Sequence, residues 1–419
     1  MTKKIENDLI EIMYAAIDAA KPNNNFSFLP NKPNGKTYVF GAGKASASMA
    51  KAFEEFYPYH IDSGLVITRY GHSIKTNKIE ILEAAHPLPD KNGLEATKKL
   101  INIAINTKEE DLVIFLISGG ASALLISPIN GISFERKQKI NNLLLKSGAP
   151  IEEINIVRQS FSNVKGGRLL ELIKPSKCIT YGISDIPGDN PNFIGSGPTY
   201  YSNKKSKNPL DILNKYKIKL SKKEILILTS NPLPKGDNKD FYLISTPLKA
   251  LEAASKKAEF LNFHPVILSD KLEGDASIEG AKMARLALKI KKNKRYNDVI
   301  LNKPILLLSG GETTVKVSGS GIGGRNTEFL LSMLSVIKDE TNIFGISIDT
   351  DGIDGCEKNA GAFFSVNTYE KSKNLNLDID AFLRNNDSFT FFNKINNLIY
   401  TGPTLTNVND FRAILVTPS

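Results

Sequence analysis

The sequence predicts an α/β protein with two domains, and three observations carry that prediction. Short apolar runs stop at glycine turns and give way to helical periodicity, again and again along the 419 residues. Two of these runs, Asp111–Ile117 (DLVIFLI) after its first residue and Pro304–Leu308 (PILLL), are apolar without a break, as strands buried on both faces are. Between the two series lies Tyr200–Asp240, where Lys, Asn, Ser and Pro interrupt the alternation. The domain boundary is drawn in that stretch, giving domains 1–235 and 236–419.

The elements follow in order. Ile5, Leu9, Met13, Ala16 and Ile17 recur at helical spacing, so the chain opens on an amphipathic helix. Residues 21–36, rich in Asn and Pro, form a loop. Thr37–Phe40 is a strand, Gly41-Ala42-Gly43-Lys44 a turn and Ala45–Phe56 a helix. Leu65–Thr68 and Ile79–Leu82 are strands, His86–Asp90 a rigid turn, and Gly93–Ile105 a helix. Asp111–Ile117 ends in Ser118-Gly119-Gly120-Ala121-Ser122. Helices cover Phe134–Ser147 and begin again at Asn163–Leu170. Cys178–Tyr181 is a strand leading into Gly182–Thr199. The second series opens with the strand Tyr242–Ser245. Helix Pro247–Leu261, strand Pro265–Leu268, helix Asp275–Ile290 and strand Pro304–Leu308 come next. After Ser309-Gly310-Gly311-Glu312 the reading has strand Thr313–Val317, a glycine loop to Asn326 and helix Thr327–Ile337. Strand Asn342–Ile348, helix Asp378–Asn396 and strand Phe411–Val416 complete it.

Composition narrows the function. Hydrophobic residues make up 41% and charged residues 23% of the chain, the balance of a globular protein. No apolar run is long enough to cross a membrane, and acids within MTKKIENDLIEIMYAAIDAA argue against a signal peptide. The net charge of +10 lies in scattered Lys clusters such as 289–295, without aromatic interleaving or an RNA-binding motif. That pattern predicts no nucleic-acid partner, though a positive field suits small anionic substrates. Cys178 and Cys356 lie far apart without metal spacing, and the four histidines do not cluster. A reducing, cytoplasmic location fits.

Several loops carry chemistry. Gly182–Thr199 (GISDIPGDNPNFIGSGPT) is too rich in Pro and Gly to be helical, so Asp185, Asp189 and Asn190 ride on a turn beside a second glycine group. Carboxylates beside an anion-binding backbone suggest a metal-assisted phosphate site. Gly43 and Lys44 sit where a strand meets a helix N-terminus, a place that attracts anions and repels lysine unless a ligand holds it. A dinucleotide fingerprint would need glycine where Ser46 stands, and no P-loop occurs. Ser118, Gly119, Gly120 and Ser122 lie at a strand's carboxyl end, where open α/β sheets gather ligands, and Gly310, Gly311 and Glu312 repeat the device. Lys165 and Arg168 share a helix face, as an anion clamp or as surface charge. The loop 319–326, the richest in glycine, reads as a mobile loop that delivers Arg325 and Asn326 beside a helix N-terminus. Asp349-Thr350-Asp351-Gly352 resembles a calcium loop but has Ile353 and Ala360 at ligand positions, leaving Asp351 for Mg²⁺ or a hydroxyl group. Asn407 and Asn409 are polar groups ill suited to a core.

These motifs, taken in order, resemble those of the class II glycerate kinases, whose C-terminal part is the MOFRL domain. The markers are VFGAGKAS (39–46), HPLPD (86–90), ISGGASALL (117–125), NVKGGRL (163–169), SDIPGDNPNFIGSGPT (184–199), LSGGETTV (308–315), GGRNTEF (323–329), DTDGIDG (349–355) and GPTLTNVNDF (402–411). The resemblance implies a Rossmann-like, largely parallel N-terminal sheet and a mixed MOFRL-type C-terminal sheet, with the active site in the cleft between domains. It implies ATP as donor, Mg²⁺ and D-glycerate as substrate, with 2-phosphoglycerate as the favoured product, and it leaves homo-oligomer formation open. The family's important lysine and arginine fall on Lys44 and Arg325, and the aspartates of its SDxxGD motif on Asp185 and Asp189. Leu405 replaces a usual glycine, and Thr246-Pro247 stands where relatives tend to have asparagine after serine.

The expected chemistry is in-line phosphoryl transfer, which asks the protein mainly for positioning and charge neutralisation. Lys44 is assigned to the transferring phosphate, and Arg325 to the glycerate carboxylate or the phosphate. Asp189 activates the hydroxyl or holds Mg²⁺ through water, with Asp185 in support. Lys44→Ala and Arg325→Ala should then each lower turnover by orders of magnitude with thermal unfolding unchanged. Three rivals stand beside this: a 3-phosphoglycerate-forming kinase, an NAD(P)H-dependent hydroxypyruvate reductase, and a non-catalytic binder of organic anions.

Overall fold

The computed structural model describes residues 2–23, 25–26, 28–202, 207–237 and 240–418. The chain divides into two compact units: Pro22–Ile244, and Met1–Lys21 together with Ser245–Ser419.

The first unit is built on a six-stranded sheet. Its strands are β1 (Thr37–Ala42), β2 (Ser63–Arg69), β3 (Ile79–Ala84), β4 (Leu112–Ile117), β5 (Lys177–Ile183) and β6 (Phe241–Ser245). They lie in the order β3-β2-β1-β4-β5-β6, and the ladders from β3 through β5 are parallel. Every residue of β4 is buried, as its unbroken apolar run requires. Order 3-2-1-4-5-6 is the doubly wound arrangement, in which connections leave in opposite directions from β1 and β4. The crevice at that switch point, outside the strands' carboxyl ends, is where such sheets bind ligands. The GAGK and SGGAS turns both leave the sheet there.

Three readings of this half are corrected. Tyr200–Asp240 contains two helices, Pro209–Lys215 and Lys222–Ser230. Ile212, Leu213 and Leu228 join Ile140, Leu144, Ile154 and Val157 in a helical core, which a linker would not supply. The segment's polar composition hid an apolar stripe narrow enough for short helices. A further helix, Ile151–Ser160, also escaped the reading because Pro150 and Gly148 mask its start. Finally, Tyr242–Ser245, read as opening the second series, is the edge strand of the first sheet. The units therefore part at 244/245 where the sequence reading drew 235/236.

The second unit has a mixed sheet of β7 (His264–Ser269), β8 (Ile305–Ser309), β9 (Ile343–Asp349), β10 (Gly361–Phe364), β11 (Leu398–Ile399) and β12 (Asp410–Val416). The order is β11-β10-β9-β12-β8-β7, with the β8–β7 pair parallel and the other ladders antiparallel. Its core gathers Leu330, Leu334 and Ile337 of the helix Arg325–Ile337 with Ile305, Ile343 and Ile414 from three strands. The N-terminal helix Thr2–Ala20 belongs here: it packs on the helix Pro247–Phe260, and Glu11 pairs with Lys257 at 2.7 Å. Local sequence cannot show this, since the two helices lie more than half the chain apart.

Two further elements differ from expectation. Among the described residues, Thr313–Val317 forms a ladder at Thr313–Thr314 alone, against Gly274–Asp275. The helix expected over Asp378–Asn396 is two helices, Ile379–Arg384 and Ser388–Lys394, separated by a turn at Asn385-Asn386-Asp387. Leu405 sits at φ 64°, the left-handed region that glycine, usual here in the resembled family, occupies without strain.

Candidate active site

The sequence candidates fall into two sets, one per unit. In the first unit the GAGK and SGGAS turns are clasped together. Lys44 donates its N–H to Gly119 O at 2.8 Å, and Ser118 Oγ accepts from Ala45 N at 3.0 Å. Gly43 is obligatory, since a Cβ there would lie 2.1 Å from Ser118 Oγ at a φ of +143°. Ser118 is thus fully buried and ties the turns, with no surface left for a ligand. Gly120 takes the left-handed conformation, and the Lys44 chain runs directly over it: a Cβ on Gly120 would meet Lys44 Cγ at 3.2 Å and His86 Cδ2 at 2.9 Å. Among the described residues, the N–H groups of Gly119, Gly120 and Ser122 find no protein acceptor. Open N–H groups around a left-handed residue make a concavity for an anion, and they lie beside a lysine stem at the switch point.

Ser122 connects this turn to the aspartate loop. Its Oγ lies 2.9 Å from Ser196 Oγ, which bonds Asn155 Oδ1 at 3.0 Å. Lys165 Nζ donates to Ser122 O at 2.9 Å and reaches Gly195 O at 3.4 Å. Arg168 donates to the carbonyls of Gln159, Ser162 and Asn231. Both cations are therefore inward clamps on loop backbone. Burial, then the Lys137 and Arg158 charges, hold the Lys165 amine well below the usual lysine range. Asp185 and Asp189 lie on the turn after β5, partly exposed, with Asp189 at φ 53°. Asn190 Oδ1 accepts from Asn192 N at 3.1 Å, an Asx-turn that shapes the loop. Among the described residues no three His, Cys, Asp or Glu side chains are grouped to hold a metal. Two aspartates still fit Mg²⁺, which commonly takes one or two carboxylates and completes its shell with water and phosphate.

In the second unit Arg325 is the first residue of its helix and the centre of an acidic ring. Nε bonds Asp410 at 2.8 Å, Nη2 bonds Asp349 at 2.7 Å, and Nη1 pairs with Glu312 at 2.8 Å. Burial opposes the charge, but Asp410, Asp349 and Glu312 outweigh it and hold the guanidinium more firmly protonated than usual. Asp410 is itself shared, accepting from Asn326 Nδ2 at 2.8 Å and from Arg412. Arg412 is fully buried over the Phe329 ring. No sequence signal singled it out beyond a lone arginine inside an apolar strand.

The start of this helix is occupied from within the fold. Asp354, fully buried, accepts from the N–H groups of Asn326 and Thr327, each at 2.9 Å, so the helix dipole is met by the protein's own carboxylate. Burial raises its affinity for a proton, and those N–H groups pull it back. The glycine loop is no mobile arm either. Asn386 Oδ1 accepts from Ser318 N at 2.7 Å and Gly319 N at 2.9 Å, Asn385 Oδ1 from Ser320 N at 3.0 Å, and Asp387 Oδ1 from Ile322 N at 3.1 Å. A Cβ on Gly319 or Gly321 would lie 2.3 Å from Asn385 or Asp387 atoms, so these glycines serve close packing on that turn.

The other candidates here are largely internal. Asn326 is fully buried and accepts from Ser347 Oγ at 2.6 Å. Gly310 N donates to Ser269 O and Gly311 O accepts from Asp410 N, while among the described residues the N–H groups of Gly311 and Glu312 find no protein acceptor. Asp351 Oδ1 accepts from Ile353 N at 3.0 Å, and Asn407 Oδ1 from Asn409 N at 3.4 Å. Glu312 is half-exposed and covers the Nη1 edge of Arg325.

Comparisons with known proteins identify the family. The family models "Domain of unknown function (DUF4147)" and "MOFRL family" match residues 8–228 and 305–410. The D-glycerate 2-kinase of Thermotoga maritima is 38% identical, covering 96% of each chain. The chain belongs to the glycerate 2-kinase family. The family's Pyrococcus horikoshii glycerate 2-kinase is 34% identical over 96% of this chain and 93% of its own. A solved glycerate kinase from Thermotoga maritima superposes with a TM-score of 0.91, at 35% identity, over 99% of this chain and all of the other. A relative from Agrobacterium vitis, named a putative hydroxypyruvate reductase, is 42% identical over 97% of this chain and 94% of its own.

Proposed function

We propose that this chain is a glycerate 2-kinase, transferring the γ-phosphoryl group of ATP to the 2-hydroxyl of D-glycerate. The observation that carries the reading is the trio of open N–H groups at Gly119, Gly120 and Ser122 beside Lys44, at the switch point of the parallel sheet. Phosphoryl transfer needs fixed donors around oxygens whose charge shifts in the transition state, and backbone held by a strand end provides them at no reorganisation cost. Lys44 neutralises the transferring phosphate. Asp189 takes the proton of the attacking hydroxyl, supported by Asp185, and these two are the residues to hold Mg²⁺, which would neutralise charge on the nucleotide phosphates. Arg325 offers its Nη1 edge to an anion in place of Glu312, while Asp349 and Asp410 keep the guanidinium fixed.

The reductase name of the Agrobacterium relatives gives a second reading. Against it stands Ser46, fully buried and bonded to Leu116 O at 3.2 Å where a dinucleotide turn has its third glycine. Purified protein, D-glycerate, ATP and Mg²⁺ followed by phosphorus NMR tests both. A 2-phosphoglycerate signal supports the proposal, and 3-phosphoglycerate corrects its regiochemistry. NADH oxidation with hydroxypyruvate, and no phosphorylated acid, would replace it.

A further inference from the structure

Four cations of the first unit are drawn together without a counter-ion. Lys137 and Lys165 are each 1% exposed, and Arg158 and Arg168 are largely buried. Among the described residues none of the four pairs with a carboxylate. Lys165 and Arg168 bond only main-chain carbonyls, as described above. Lys137 Nζ has no hydrogen-bond partner, and the Arg158 guanidinium makes no hydrogen bond or ion pair. Glu153, the acid nearest Arg158 in sequence, is taken by Lys207 and Lys215, and Glu171, the acid nearest Arg168, pairs with Lys174. Burial, then Arg158 and Arg168, press the Lys137 amine down to about 7, so these charges repel one another through the protein interior. Uncompensated buried charge is costly, and a site that carries it is poised for an anion.

That anion has a place to go. Arg158 lines a cavity of about 320 Å³ together with His86, Gly120, Ser122, Gln138 and Asn142. Gly120 and Ser122 belong to the phosphate-binding turn, so the cavity opens beside Lys44. Gln138, Asn141 and Asn142 share one face of the helix Phe134–Lys146; Gln138 Nε2 donates to Pro89 O at 2.6 Å, and the two asparagines present amides, which read hydroxyl groups by donating and accepting at once.

We propose that this cavity is the acid-recognition subsite: Arg158 binds the carboxylate of the small hydroxy acid, and the helix amides face its hydroxyls. The inference rests on the kinase reading, and it directs the acid's hydroxyl toward the Lys44 turn. Arginine suits the role because its planar fork meets a carboxylate with two parallel bonds.

The test uses the full chain with Arg158→Gln, Arg158→Lys and Asn142→Leu. Asn142 is exposed, so its variant keeps the proposal testable should Arg158→Gln not fold. Calorimetric binding of D-glycerate without nucleotide is measured beside the KM values for glycerate and ATP. Losing one charged, bidentate contact should weaken glycerate binding by on the order of 10–100-fold. The KM for ATP should stay within about threefold, the lysine variant should lie between, and Asn142→Leu should weaken glycerate several-fold. Unchanged glycerate binding in Arg158→Gln and Asn142→Leu overturns the inference, as does a rise confined to the ATP KM, which would make the cavity a nucleotide site. If the wild type phosphorylates glycerate and these variants bind it normally, only the inference falls. If the wild type shows no kinase activity, the kinase reading falls, and glycerate binding lost in Arg158→Gln still supports an acid site.

Discussion

Replacing Arg325 by alanine should unfold the protein more easily as well as silence it. The guanidinium holds three carboxylates, and they are unequal. Glu312 is 49% exposed, so its pairing is worth at most about 1 kcal/mol in water. Asp349 is 6% exposed and Asp410 fully buried, and removing their cation strands two charges inside the fold. Breaking a buried pair costs about 3–5 kcal/mol. Arg412 and Asn326 still hold Asp410, which puts the loss near the lower end, about 3 kcal/mol. For a unit of this size each kcal/mol moves the melting point by about 2–4 °C, so Arg325→Ala should melt about 10 °C below wild type. Calorimetric melts of Arg325→Ala and of Arg325→Ala/Asp349→Asn measure it, with the second variant recovering part of the loss by removing one stranded charge. An Arg325→Ala melt within 2 °C of wild type would refute the ring. This replaces the expectation from sequence that unfolding would be untouched, and activity must be assayed well below the lowered melting point.

Lys44→Ala should lower turnover by about 10²-fold or more with an unchanged melt, because its side chain is partly exposed at a turn whose backbone makes the bonds; assays and melts in parallel decide it. Gly321→Ala should destabilise by about 1–3 kcal/mol, since a Cβ lands 2.3 Å from Asp387 Cβ, whereas a slack loop would accept alanine without effect in a denaturant titration. Lys137→Met should raise stability at pH 6–7 by about 1–3 kcal/mol. The sign follows from an amine held down to about 7 in the fold against 10.5 when unfolded. Between those values the unfolded chain binds more protons, so wild-type stability rises with pH across that window. The variant's advantage should therefore shrink by pH 9–10 in melts over a pH series.

The candidate site was unevenly legible. Lys44 and the two strand-end turns could be read because a lysine at a helix start and glycines after a buried strand conflict with local stability. Arg325 was legible as an unusual arginine, yet its surroundings were not, because Glu312, Asp349 and Asp410 come from three separate strand ends. Lys137 and Arg158 carried no signal, since a lysine or arginine in a helix ordinarily faces water. The glycine loop was misread for a related reason. Glycine density reports that side chains are excluded, and only the Asn385–Asp387 turn shows that packing is what excludes them.

Sequence alone determined the α/β class, most strands and the order of the motifs, because the periodicity of apolar burial is written along the chain. It also carried the family, since nine motifs in fixed order are a chemical signature no composition mimics. Tertiary structure decided which sheet β6 joins, that the first helix belongs with the second unit, and which charges are buried without a partner. Each of these depends on contacts between residues far apart in the chain, and the free energy of a charge is set by what surrounds it in space.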